Sequence, residues 1–91
     1  MKTIQPPINM DKTTSKILQA LNNSVEEPIK DLNFQTNMEN TIEWTSLVLT
    51  EFIFNLEESF DIDIELDDAE KLTSIEITKE ILEKKYLKRN T

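Results

Sequence analysis

The fold is decided by residues 44 to 60, WTSLVLTEFIFNLEESF. A strand is the alternative interpretation, because the segment LVLTEFIFNL is rich in β-branched and aromatic residues. Its apolar residues do not alternate, however, and the run continues into EESF at helical spacing. The pattern therefore favours a helix from Thr45 to about Phe60, with Thr45 able to cap the first turn.

Two faces of this helix follow from a rotation of about 100° per residue. The predicted core line consists of Leu49, Ile53, Leu56 and Phe60, with Val48 and Phe52 at its edge. The opposite face carries Leu47, Glu51, Phe54 and Glu58. Scattered surface hydrophobes are normal and need no function. The alternative is a docking surface, on which apolar groups supply affinity and carboxylates steer a basic partner.

The chain before this helix predicts a lead-in, a helix and an ordered loop. Residues 1–10 contain Pro6-Pro7 and predict a flexible lead-in to a domain over residues 11–91. The spacing of Ile17, Leu21 and Val25 predicts a first helix from Asp11 to near Glu27, ended by Pro28. In the loop that follows, dispersed apolar residues are expected to pin it to the core. These are Ile29, Leu32, Phe34, Met38, Ile42 and Trp44.

Two more helices are expected after Phe60. The segment DIDIEL alternates like a strand but has no second strand to pair with, so it predicts an extended loop entering a short helix from Asp67 to Leu72. Thr73 and Glu76 match a capping box at the start of a fourth helix. The predicted fold class is all-α, a small four-helix bundle with three longer helices and one short.

The amino-acid composition excludes several classes of function. The 91 residues include no histidine and no cysteine, which excludes Ser-His or Cys-His catalysis, disulfides and zinc sites of the usual ligand types. With 18 acidic and 10 basic residues, the net charge of −8 disfavours nucleic acid and anionic membranes and favours partners with basic patches. No apolar run reaches the length of a membrane span or resembles a secretory signal, so a cytoplasmic protein is expected.

Ser46 stands at the start of the second helix. A serine in this place is ordinarily a helix cap, but here Thr45 can serve as the cap and leave the Ser46 hydroxyl free. Without a histidine to activate it, that hydroxyl is no intrinsic nucleophile, yet another enzyme can modify it. The N–H groups and partial positive charge of a helix N-terminus stabilise an attached phosphodiester.

These residues resemble the acyl carrier protein family. The family signature is a serine in DSL opening an acidic second helix, then VELVMALEEEF-like and IPDEEAEKITTV-like segments. Here Thr45-Ser46-Leu47, LTEFIFNLEESF and DIDIELDDAEKLTSI follow that order without a gap. Ile42 and Met38 match apolar positions before the serine, and the resemblance covers about residues 11 to 87.

The resemblance implies a carrier without catalysis of its own, and thus not an enzyme. Ser46 would bear a covalent 4'-phosphopantetheine arm whose thiol holds acyl groups as thioesters, for fatty acid, polyketide or related biosynthesis. The expected partners are a phosphopantetheinyl transferase and acyl-transferring and ketosynthase-type enzymes with basic docking patches, and the protein itself is expected to be a monomer. The residues implied to face these partners are Leu47, Glu51, Phe54, Glu57, Glu58, Asp67, Asp68 and Glu70.

This chain departs from the family pattern at two positions shortly before Ser46, and a bulky residue lies between them. Thr45 replaces the aspartate before the serine, Glu43 replaces a glycine, and Trp44 adds bulk. Thr45 can cap the helix but carries no charge for a partner to recognise. An unmodified acidic interaction module of the same fold is therefore the alternative function. A third hypothesis is metal binding by the segment DIDIELDDAE. This segment lacks the glycine and the terminal glutamate of a calcium-binding loop, so specific calcium binding is not expected.

Overall fold

The structure is a computed structural model that describes residues 11–87, and the predicted lead-in over residues 1–10 lies outside this range. Its α-helices are α1 (Lys12–Asn22), α2 (Ser46–Phe60), α3 (Leu66–Ala69) and α4 (Ile75–Ile81). A π-helical turn, Leu82–Tyr86, directly continues α4. Residues 11–87 contain no strand, so the predicted all-α bundle is confirmed.

The core lies between α1, α2 and α4, where α1 packs against both of the other helices. The buried line of α2 runs through Phe52 and Leu56, while Leu49, Ile53 and Phe60 are only partly buried. The predicted core line was therefore rotated, with Phe52 wrongly placed at its edge. The reason is that α2 has apolar residues on most sides, so the sequence alone does not fix its phase. Buried apolar residues outside α2 include Ile17, Leu21, Leu72, Ile75 and Leu82.

Helix α1 ends at Asn22, five residues before the predicted end near Glu27. Asn22 and Ser24 end it, not Pro28. The Asn22 side-chain oxygen accepts a hydrogen bond from the Ile29 N–H at 3.1 Å, and the Ser24 hydroxyl donates to the Ala20 carbonyl at 2.7 Å. These local side-chain bonds give the backbone an alternative to another helical turn.

Side-chain hydrogen bonds order the long loop between α1 and α2. The side-chain oxygen of Asn37 accepts from the Asn40 N–H at 2.9 Å, and that of Asn40 accepts from the Asn37 N–H at 3.0 Å. The loop also forms an antiparallel bridge between Asn37 and Ser74, just before α4. Ile29 and Trp44 are buried as predicted, but Ile42 is 88% exposed and was wrongly predicted as a pin. Trp44 turns inward and meets Phe52 edge-on, with ring centroids 5.3 Å apart.

The starts of α3 and α4 differ slightly from the prediction. Helix α3 begins at Leu66, one residue early, and its single turn ends at Ala69. At α4 the N-cap is Ser74, whose hydroxyl accepts from the Ile77 N–H at 3.0 Å. The predicted capping box with Thr73 as the cap was therefore wrong, because the bridge to the loop commits the Thr73 carbonyl to the Met38 N–H. None of the helices described is long and apolar enough to cross a membrane.

Candidate functional site

Ser46 is the first residue of α2 and is exposed. Thr45 is the N-cap, as predicted: its hydroxyl oxygen accepts from the Val48 N–H at 3.2 Å, and its carbonyl accepts from the Leu49 N–H at 2.8 Å. The Ser46 and Leu47 N–H groups lie in the part of the first turn that has no carbonyl within the helix to bind. An exposed hydroxyl thus sits at the positive end of a 15-residue helix.

The outer face of α2 is exposed as predicted. Leu47 is 73% and Phe54 62% exposed, and Glu51 and Glu58 are exposed beside them. Large apolar side chains left in water next to carboxylates are typical of a surface that binds a partner. Glu57 is different, because it is half-buried and its carboxylate accepts from the Ile64 N–H at 2.8 Å. That bond fastens the loop after α2 to the helix.

Asp68 is buried, in contrast to its neighbours on α3. Asp67 and Glu70 are exposed on and beside α3, but Asp68 is only 3% exposed and points into the fold. It accepts from the Tyr86 hydroxyl at 2.6 Å and pairs with the Lys85 ammonium at 2.9 Å. The prediction that Asp68 faces partners was therefore wrong.

Asp68, Lys85 and Tyr86 form an internal clip that joins α3 to the π-helical turn. The Tyr86 hydroxyl oxygen also accepts from the Glu65 N–H at 3.0 Å, so it bridges two groups at the start of α3. Its hydrogen bond, followed by that from Lys85, holds the pKa of Asp68 below the ordinary value. Burial and the bond to Asp68 raise the pKa of Tyr86. The clip fixes the buried side of α3 to the π-helical turn, while Asp67 on the same helix is exposed.

Two contributors to this region were missed by the sequence analysis. Leu66, at the start of α3, is 74% exposed and adds a further apolar group to the surface. Its place in the alternating segment DIDIEL was the available signal, but alternation does not tell which side faces water. Asn55 in α2 donates to the Ser24 hydroxyl oxygen at 2.9 Å and so ties the end of α1 to α2. No local pattern predicts that contact, since it joins residues 31 positions apart.

An all-α bundle with an exposed serine opening an acidic second helix is the arrangement typical of carrier domains. No protein-family model matches the chain. The chain is, however, 39% identical over 57 residues to the acyl carrier protein of Desulforapulum autotrophicum, an alignment that covers 63% of this chain and 74% of that protein. The chain therefore belongs to the acyl carrier protein family, and this membership supports a carrier role.

Proposed function

We propose that this protein carries acyl intermediates as thioesters on a 4'-phosphopantetheine arm attached to Ser46, for fatty acid, polyketide or related biosynthesis. It has no catalysis of its own in this proposal and works in the cytoplasm as a monomer. The observation that carries the proposal is the exposed Ser46 hydroxyl at the start of α2, beside a cap that Thr45 already provides.

The residues around Ser46 fit the proposed arm. The N–H groups of Ser46 and Leu47 are suited to hold the phosphodiester oxygens, and the helix dipole favours their negative charge. When bound, the arm supplies a thiol, which the chain itself lacks. Ser46 needs a base from the modifying enzyme to lose its proton, because the chain contains no histidine. Trp44 does not cover the serine, since its ring is buried in the core.

Partner enzymes would dock on the outer face of α2 and on α3. The docking residues of the proposal are those that the structure leaves exposed, together with half-buried Glu57. They are Leu47, Glu51, Phe54, Glu57, Glu58, Asp67 and Glu70. Their chemistry suits basic patches on a phosphopantetheinyl transferase and on acyl-transferring and ketosynthase-type enzymes.

The test of the attachment site is intact-mass measurement after incubation with a phosphopantetheinyl transferase and coenzyme A. We expect one arm per chain, and none on Ser46→Ala. Ser59→Ala is the matched control: Ser59 is also exposed on α2 but lies near its C-terminal end, where no free N–H groups assist. Loading that persists in Ser46→Ala would overturn the assignment.

The alternative function is an unmodified interaction module with the same docking surface. The neutral Thr45 favours it, because the family has an aspartate at this position. Thr45→Asp keeps a good cap and adds the charge. If Thr45→Asp is loaded and the wild type is not, then either a dedicated transferase serves this protein or it has lost loading. If no transferase loads either form, the interaction module becomes the better interpretation.

A further inference from the structure

The indole N–H of Trp44 is a buried hydrogen-bond donor that has no acceptor. Trp44 is only 2% exposed, and among the fully buried side-chain nitrogen and oxygen atoms of residues 11–87 its Nε1 alone makes no hydrogen bond. Its ring meets Phe52 edge-on, and an aromatic face is a much weaker acceptor than an oxygen. Leaving a buried donor unpaired costs stability, so a group that brings an acceptor to Trp44 would stabilise the fold.

A buried water does not suit this position. Internal waters are held by several polar groups at once, whereas Trp44 belongs to an apolar core cluster that also contains Phe52 and Leu56. The other buried polar side chains of residues 11–87 have partners of their own. The Thr78 hydroxyl, for example, donates to the Ser74 carbonyl at 2.8 Å. The missing acceptor is therefore better supplied by an atom of a ligand.

Trp44 lies close to the proposed attachment point. It stands two positions before Ser46, the first residue of α2, and its ring contacts Phe52 on the buried side of that helix. Leu49 and Ile53 pack against the same core but are only partly buried, so the apolar packing here reaches the surface. An alkyl chain tethered at Ser46 gains free energy by leaving water for such side chains. Cargo that enters the core beside α2 would therefore meet the Trp44 donor.

A lone buried donor discriminates between functional groups of the cargo. A saturated chain offers no acceptor and leaves the N–H unpaired. A hydroxyl group can accept from the N–H, but it brings a proton that needs an acceptor of its own. A keto oxygen has lone pairs and no proton, so it pairs with the donor without creating a new unpaired group. An acyl chain that carries a keto group therefore fits this core best.

We propose that Trp44 determines the specificity for cargo: its indole N–H donates a hydrogen bond to the keto oxygen of an acyl chain tethered at Ser46. The inference rests on the proposed carrier function and adds the chemical class of the cargo. Trp44 takes no part in a reaction. It favours keto-bearing acyl chains over saturated and hydroxylated chains of the same length.

Chemical tethering tests this inference without any transferase. Ser46→Cys provides a single thiol, because the chain has no cysteine of its own. We would alkylate this thiol with a haloacetamide whose linker has the length of the pantetheine arm and ends in an octanoyl, a β-hydroxyoctanoyl or a β-ketooctanoyl amide. Trp44 is the only tryptophan, so its N–H gives a single indole signal in NMR spectra. The keto chain should move this signal downfield and raise the melting temperature by about 2–6 °C over the octanoyl form. The hydroxylated chain should give smaller changes.

Trp44→Phe, made in the Ser46→Cys protein, keeps an aromatic ring and removes the donor. Within this variant the keto form should melt no higher than the octanoyl form, because the buried oxygen then has no donor. A purely structural role of Trp44 would instead lower the melting temperature of all three forms equally. Tyr86→Phe is the matched control, since it removes a hydroxyl that bonds to Asp68. It should destabilise all three forms alike and leave the keto preference unchanged.

Two results overturn the proposal. One is an indole signal that is the same with all three chains, and the other is a keto preference that persists in Trp44→Phe. Because the tether is attached chemically, these results are independent of the mass test. Enzymatic loading of Ser46 without a keto preference would reject this inference alone. A keto preference in a chain that no transferase loads would reject the attachment proposal alone.

Discussion

Two regions of this acidic molecule use carboxylates in opposite ways. Where α3 meets the π-helical turn, Asp68 is buried against Tyr86 and Lys85, so its charge is satisfied inside the fold. Around Ser46, the exposed carboxylates Glu26, Glu27, Glu43 and Glu51 have no basic partner within residues 11–87. The first arrangement stabilises the bundle, whereas the second leaves charge available to another molecule. A net charge of −8 alone does not distinguish these two roles.

The largest difference in stability is expected between substitutions on the buried side and on the exposed side of α2. Phe52 is fully buried, so Phe52→Ala should lower the free energy of unfolding by about 3–5 kcal/mol. Phe54 is mostly exposed, so Phe54→Ala should change it by less than about 0.5 kcal/mol. Urea unfolding followed by circular dichroism measures both values. A large loss for Phe54→Ala would show that its ring packs in the core and that the outer face is wrongly assigned.

The next largest loss of stability is expected when the clip of Asp68, Lys85 and Tyr86 is disrupted. Tyr86→Phe removes the hydroxyl that binds both Asp68 and the Glu65 N–H, and we expect a loss of about 1–2 kcal/mol in the free energy of unfolding. Asp67→Asn, on the exposed side of α3, the short helix that carries Asp68, is the comparison and should be close to neutral. Thermal unfolding of the variants checks the order. Equal effects would remove the distinction between satisfied and available carboxylates.

Much of α2 could be predicted from sequence, and the clip could not. The extent of α2 follows from helical spacing and from Thr45 as its cap, and both are local features. Which acidic residue of α3 turns inward depends on Lys85 and Tyr86, which lie 17 and 18 positions further along the chain. A helix of four residues is also too short for its own pattern to fix a buried side.

The errors at α1 and Ile42 have the same origin. Pro28 suggested where α1 ends, but the bonds of Asn22 and Ser24 ended it earlier, so that Val25, Glu26 and Glu27 lie in the loop beside the start of α2. Ile42 was expected inside because it is apolar, whereas the Asn37–Ser74 bridge and the Asn37–Asn40 bonds order this loop without it. Side-chain bonds across a loop are not visible as a periodic pattern.

Lowering the pH should destabilise the fold by protonating the paired carboxylates Asp11 and Asp68. The backbone N–H of Thr14, followed by the ammonium of Lys79, lowers the pKa of Asp11 from its ordinary 3.8 to about 2. A pKa lowered in the folded state means that stability is fully present above about pH 4 and is lost as the pH falls towards 2. Asp68 contributes with the same sign.

Asp11→Asn isolates this contribution because asparagine is also a good helix cap. The variant should be slightly less stable than the wild type at pH 7, and the difference should shrink as the pH falls from about 4 to about 2. Urea midpoints across this range measure it. A difference that stays constant with pH would show that the Asp11 carboxylate gains nothing from Thr14 and Lys79.

The smallest expected effect on stability is that of salt, and it should act mainly on the unpaired carboxylates around Ser46. Added NaCl or Mg2+ should raise the melting temperature by a few degrees, because screening relieves repulsion among exposed carboxylates in a chain of charge −8. Glu51→Gln removes one of the crowded charges beside Ser46, so it should raise stability slightly at low ionic strength and reduce the response to salt. Asp67→Asn, on α3, provides the matched loss of one exposed charge and should reduce that response less. The same melting temperature at low and high ionic strength would contradict the prediction, because the exposed carboxylates would then not repel one another measurably.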